Sequence, residues 1–174
     1  MTFKIDKSLE ILNRTPMVLE TLLGGLSKDW LKNNEGENTW SPYNVVGHLV
    51  HGEKTDWMTR VKIVLSETGN KTFTPFDRFA QMQADQSIPI ETLLSEFKTL
   101  RQKNLTELNA LKIDDSKLNM EGMHPALGVV KLKQLLSTWV AHDLGHIAQI
   151  TRVMAKQYKS EVGPWKNYLG ILNK

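Results

Sequence analysis

The sequence predicts an all-α protein: a four-helix bundle whose helices are joined by long crossover loops. Three observations predict it. Four long stretches carry apolar residues at helical spacing. Breaker pairs, Gly24-Gly25 and Gly69-Asn70, close two of them. The period-two alternation of a half-buried strand is poor throughout. A chain of 174 residues fits one domain over 1–174, long enough to bury most of its apolar surface without staples. No repeat, low-complexity tract or linker is visible.

The first stretch covers 8–23 and contains Pro16. Thr15 as a cap with Pro16 in the first helical position splits it, whereas a kink keeps it whole. The second begins at Ser41-Pro42, a cap followed by proline, and runs to about residue 66. The third covers 87–111, with Leu93, Leu94, Phe97, Leu100 and Leu108 at helical spacing, and the fourth covers 131–157. Between the second and third lies 72–86, a loop or short helix with Phe73, Phe76 and Phe79. Between the third and fourth, 114–130 holds Met120, Met123, His124, Pro125 and Gly128 in an irregular crossover. Loops this long in a compact domain are usually functional, and both are expected to fold over one end of the bundle.

Composition removes several functions. The chain has no cysteine, so disulfides, thiolate ligands and a cysteine nucleophile drop out, leaving imidazole, carboxylate and water to bind a metal. The net charge is +3, but the lysines and arginines are scattered. Without a basic block or a helix-turn-helix, nucleic acid is not an expected partner. No signal-peptide pattern opens the sequence and no apolar run approaches a membrane span, so a cytoplasmic location is expected. The five tryptophans are spread along the chain, as suits core and pocket walls.

The seam of the fourth stretch reads Leu132, Leu135, Trp139, His142, His146, Gln149, Val153. Three consecutive polar residues interrupt it, and each buried polar group without a partner costs roughly 1–3 kcal/mol. His142 and His146 stand four residues apart on one helix face, where both rings can reach one ion. Core histidines satisfied by hydrogen bonds are the plainer alternative. A metal centre for chemistry usually takes three protein ligands, and the third candidates are His48, His51 and His124. The apolar arc of the second helix centres on Val46, Val50, Trp57, Val61 and Val64, with His48 and His51 both on its flank. Periodicity does not choose between them. The neighbouring Gly47 and Gly52 would admit a close backbone or ligand. Asp143 projects into an apolar arc and needs a partner, either a ligating imidazole or an N–H or arginine. Gln149 is expected to bridge to a neighbouring helix rather than to a metal-bound water, and His124 to be a loop residue.

Two segments, Trp40-Ser-Pro-Tyr-Asn-Val-Val-Gly-His48-Leu-Val-His-Gly-Glu53 and Trp139-Val-Ala-His142-Asp-Leu-Gly-His146-Ile-Ala-Gln149, together resemble the DinB-like (YfiT-like) superfamily of metal-dependent hydrolases. Leu12-Asn-Arg-Thr-Pro16, Phe76-Asp-Arg-Phe79, His124-Pro-Ala-Leu-Gly128 and Val162-Gly-Pro-Trp-Lys-Asn-Tyr-Leu169 extend the resemblance over nearly the whole chain. It implies an up-down-down-up bundle, commonly a homodimer. It also implies a divalent metal, zinc or nickel, held by His48, His142 and His146. The better understood members are transferases and isomerases that use a low-molecular-weight thiol such as bacillithiol, mycothiol or glutathione.

The leading expectation is therefore a metal-dependent enzyme acting on a small-molecule substrate, either a thiol-dependent S-transferase or a hydrolase. Its general base is unassigned; Asp143, His51 and Glu53 are candidates by proximity. The alternatives are a non-catalytic stress-response or binding protein with a structural or vestigial metal, and a metal-free bundle with hydrogen-bonded core histidines.

Overall fold

The computed structural model describes residues 2–67 and 69–173. Its four bundle helices run up, down, down and up, and two of them are broken. The first is α1 (Ile5–Leu12) followed by α2 (Thr15–Leu23). The break falls at Asn13-Arg14, just before Pro16, so the splitting reading holds. Thr15 is not the cap; it lies inside α2 and its hydroxyl donates to the Ile11 carbonyl at 3.2 Å. A short α3 (Lys28–Lys32) leads to the second bundle helix, α4 (Pro42–Thr55) continued by α5 (Trp57–Leu65). Ser41 caps α4 as its sequence predicts, with Ser41 Oγ accepting from the Asn44 amide and Asn44 Oδ1 from the Ser41 amide, each at 3.2 Å.

The third bundle helix is α6 (Ile90–Ala110) and the fourth α8 (Leu132–Lys156), both within three residues of expectation. The 72–86 segment is a loop that holds a single 3-10 turn, Ala80–Met82. The 114–130 crossover is more regular than its sequence suggests. It holds α7 (Asp115–Leu118) and an antiparallel hairpin of β1 (Glu121–His124) and β2 (Gly128–Lys131). Gly128, at φ +75°, supplies the left-handed turn residue. The strands are only four residues each, too short for a period-two signal. Main-chain bonds join the two excursions: Phe73 N–H donates to the Met123 carbonyl and Met123 N–H to the Lys71 carbonyl, both at 2.8 Å.

The apolar core is divided into two layers. One gathers Leu19, Leu23, Val46, Val50, Phe97 and Ile150; the other Leu12, Trp57, Val61, Leu105, Leu136 and Trp139. On three of the bundle helices the inward residues between the layers are polar: Glu53 on α4, Arg101 and Asn104 on α6, and His142, Asp143 and His146 on α8. The bundle thus carries a polar waist. No helix among the described residues is long and apolar enough to cross a membrane.

Candidate metal centre

The waist has an inner half and an outer half. Inside, Arg101 is 1% exposed and its guanidinium is fully engaged. It holds Asp143 with two parallel bonds, Nη1 to Oδ2 at 2.6 Å and Nη2 to Oδ1 at 3.0 Å. It holds Glu53 Oε1 through Nε at 3.1 Å and Nη2 at 2.8 Å, and Nη1 also donates to the Leu12 carbonyl at 2.9 Å. Trp139 Nε1 and Asn104 Nδ2 complete the shell of Glu53 at 3.1 and 2.9 Å. Six residues, Leu12 through its main-chain carbonyl, thus tie all four bundle helices together around the Arg101 guanidinium. Burial still pushes the Glu53 carboxyl up, against the pull of Arg101.

The sequence-based expectations for these acids need correcting. Asp143 takes the arginine partner, and Glu53 is locked in the same network, so neither is positioned as a general base. Arg101 itself was legible: on α6 the seam runs Phe97, Arg101, Leu105, Leu108, and an arginine at such a position demands buried carboxylates.

Facing outward, His48 from α4 meets His142 and His146 from α8. His142 Nε2 lies 3.1 Å from His48 Nε2 and 3.0 Å from His146 Nε2, and the three offer ligand atoms within 4.8 Å of one another. Three nitrogens on one tetrahedral ion are about 3.3 Å apart for metal–nitrogen bonds of roughly 2.0–2.1 Å, close to the two spacings from His142. His48 is 5% exposed, so enclosure by neighbours overrides the periodicity that placed it on a flank. His51 stands apart, with its ring against Phe76 at 5.0 Å. His124 uses Nδ1 to accept the Ala126 and Leu127 amides at 3.1 and 3.2 Å, a turn-closing role.

The rings suit a cation. Burial is the main cause holding His48 near 4 and His142 near 3, and it lowers His146 as well; the neighbouring histidines add to the first two. All three are neutral at pH 7 with lone pairs available. His146 Nδ1 donates to Gln149 Oε1 at 2.8 Å, which turns Nε2 toward the other rings. Gln149 therefore orients a histidine instead of bridging to another helix. His48 Nδ1 faces the main chain at Arg78 without a full hydrogen bond, and His142 Nδ1 has no protein partner among the described residues. Three neutral imidazoles pointing Nε2 at one locus leave lone pairs that hydrogen bonds among them cannot all satisfy; a divalent ion satisfies all three.

The glycines beside His48 act as their size suggests. A Cβ on Gly47 would meet Gln81 at 3.1 Å, and one on Gly52 would meet the Trp57 indole at 3.3 Å. The first contact seats the 3-10 turn on α4, and the second lets Trp57 stack on Trp139, with ring centroids 5.5 Å apart.

The three histidines open into a cleft of about 950 Å³, walled by Trp40, Phe76 and Phe79 on one side and His124 and Pro125 on the other. Both long excursions therefore reach the site. The sequence reading passed over one further residue in the cleft, Asp56, at the break between α4 and α5. It is 8% exposed, and burial pushes its carboxyl up to about 6 against the pull of Arg60. Arg60 Nε lies 2.7 Å from Asp56 Oδ1, but its N–H is off-axis for a hydrogen bond, which leaves the burial cost poorly offset. The signal available was a carboxylate two helical turns beyond His48.

Comparison with known proteins agrees with this architecture. YfiT from Bacillus subtilis, described as a probable metal-dependent hydrolase with an unusual four-helix bundle topology, superposes with a TM-score of 0.72 at 20% identity, over 91% of this chain and 87% of that one. At that identity the likeness speaks for the fold. No curated protein gives a significant match. The family model described as the DinB superfamily matches residues 11–150, a span that takes in the capped start of α4, the polar waist and all three histidines, and the chain belongs to that superfamily.

Proposed function

We propose that the protein is a metal-dependent enzyme in which His48, His142 and His146 bind one divalent ion, zinc or nickel, and that it acts on a small molecule as a thiol-dependent S-transferase or a hydrolase. The observation that carries this reading is the convergence of three neutral Nε2 atoms at the floor of an open cleft. Three neutral ligands leave the charge of a bound ion uncompensated, so it would acidify a water or thiol. The chain's own residues do the rest. Gln149 and the enclosure of His48 hold the rings in register, the aromatic wall limits water, and Asp56 is the carboxylate placed to take up a proton near neutral pH. With no cysteine in the chain, the thiol of a transfer reaction comes from a cosubstrate.

A structural metal site closes its coordination sphere with a fourth protein ligand. Among the described residues the group has three members, Asp143 is engaged by Arg101, and His51 stands apart. This favours the catalytic reading over a structural or vestigial ion. The remaining expectations, a single domain over 1–174, a homodimer and a cytoplasmic location, belong to the same proposal and rest on sequence and family.

The test is elemental analysis of untagged protein beside the His48→Ala and His142→Ala variants. The expected result is about one equivalent of zinc or nickel in the native protein and its loss in both variants. Metal-free protein after loading, or metal retained in both variants, overturns the assignment. A panel of thiols, electrophiles and esters then separates transfer from hydrolysis.

A further inference from the structure

Three arginines line the cleft: Arg60, Arg78 and Arg152. Two already have carboxylates. Arg60 pairs with Asp56, and Arg152 Nε lies 3.1 Å from both carboxylate oxygens of Glu35. Glu35 and Asp56 are the acids of the cleft wall, and each faces one of these two arginines. Arg78 has no carboxylate partner among the described residues.

Its guanidinium nevertheless lies against two aromatic rings. The Cζ atom lies 5.2 Å from the Phe79 ring centroid and 5.9 Å from that of Trp40, and those rings meet edge to face at 6.1 Å. Stacking on aromatic faces occupies the plane of a guanidinium and leaves its N–H edge free. Trp40 in turn lies against the metal-site rings, 4.7 Å from His48 and stacked on His146 at 6.2 Å. Arg78 thus stands one aromatic ring away from His48 and His146, on the wall of the same cleft, with a donor edge that no carboxylate among the described residues takes up.

We propose that Arg78 is the anchor for a carboxylate on the substrate, and that the cleft selects anionic small molecules with an apolar or aromatic body. This rests on reading the cleft as the substrate site, but not on the ion in it. The chemistry favours carboxylate over phosphate: a single uncompensated guanidinium offers two parallel N–H bonds that match a planar, singly charged carboxylate, whereas a phosphate dianion would leave charge unmatched. The aromatic wall supplies the surface for the rest of the molecule. A substrate held this way has its carboxylate at the cleft wall and its reacting group toward the histidines.

The experiment uses phenylacetate and phenylacetamide, which share an aromatic body and differ in charge, titrated by ligand-observed NMR into zinc-loaded and chelator-treated protein. Wild type is expected to bind the acid about tenfold to a hundredfold more tightly than the amide, the range for hydrogen bonds to a charged group. Arg78→Gln is expected to abolish that preference in both forms, leaving zinc content and amide affinity unchanged. Arg152→Gln, whose guanidinium is already taken by Glu35, is expected to keep it. Absence of any preference in wild type, or a preference that survives Arg78→Gln, overturns the proposal. A preference present only with zinc and insensitive to Arg78→Gln would assign the carboxylate to the ion. Failure of zinc to bind, with the Arg78-dependent preference intact, would overturn the metal reading alone.

Discussion

At the scale of single residues, the buried charges decide what can be changed. Arg101 satisfies two carboxylates that are otherwise sealed from water. Removing one partner of such a cluster leaves uncompensated buried charge, which typically costs about 3–5 kcal/mol. Arg101→Met is expected to lose stability in that range at pH 7 by urea denaturation. Arg101→Met combined with Glu53→Gln and Asp143→Asn is expected to recover most of it, because the isolated anions are gone; a triple variant as weak as the single would show that the network stabilises by geometry and not by charge. Asp56 behaves in the opposite sense. Its folded-state value of about 6 lies above the ordinary 3.8, so the native state binds more protons than the unfolded chain across that window. Stability from this group is therefore present below about pH 4 and lost as pH rises through 6. Asp56→Asn is expected to match wild type at pH 4 and to exceed it at pH 7 by at most about 3 kcal/mol, at 1.36 kcal/mol per pKa unit. Equal stabilities at both pH values would mean that Asp56 ionises normally and is not the proton acceptor of the cleft.

At the scale of elements, two glycines give opposite expectations. Gly122 in β1 has no room: a Cβ there would sit 2.8 Å from Phe73 and 2.9 Å from Val64. Gly122→Ala is expected to cost roughly 1–3 kcal/mol by overpacking and to loosen the hairpin beside the cleft. Gly145, inside α8 between the two histidines, meets nothing within 4 Å. Gly145→Ala is expected to stabilise by about 0.5–1 kcal/mol through helix propensity, and thermal melts of the two variants check both signs. The same contrast explains how much was legible. Ser41-Pro42 and Gly24-Gly25 are local signals, and helix ends fell where they point. The His142 and His146 pair was legible because polar residues interrupt an apolar seam. His48 was not legible from periodicity, because α4 is covered on several sides at once and its arc no longer marks what is buried; the family resemblance supplied it. The break at Asp56, the hairpin and the place of Arg78 on the cleft wall depend on tertiary packing that no window of sequence contains.

At the scale of the whole molecule, the polar waist couples the site to the fold. Its inner half joins four helices through Arg101, and its outer half presents three Nε2 atoms whose lone pairs hydrogen bonds among them cannot all satisfy. Metal-free protein therefore carries at least one incompletely satisfied lone pair in the site, a cost that binding an ion removes. If the histidines hold zinc, binding is linked to folding, and zinc at about a hundred times its dissociation constant adds about 2.7 kcal/mol. For a protein of this size that is a rise in melting temperature of roughly 5–10 °C, at about 2–4 °C per kcal/mol. His142→Ala is expected to lose this rise entirely. In chelator, however, the variant is expected to melt no more than a few degrees below wild type. His142 is only half-buried, its Nδ1 has no protein partner among the described residues, and its ring meets α4 and α5 through the His48 and Trp57 rings, so what is lost is mainly ring packing. A large loss of stability in chelator, with no response to zinc in either protein, would instead mark the histidines as core residues that hold the bundle together without an ion. The comparison needs only melting curves of two proteins with and without metal, and it separates a site built for a ligand from one built for the fold.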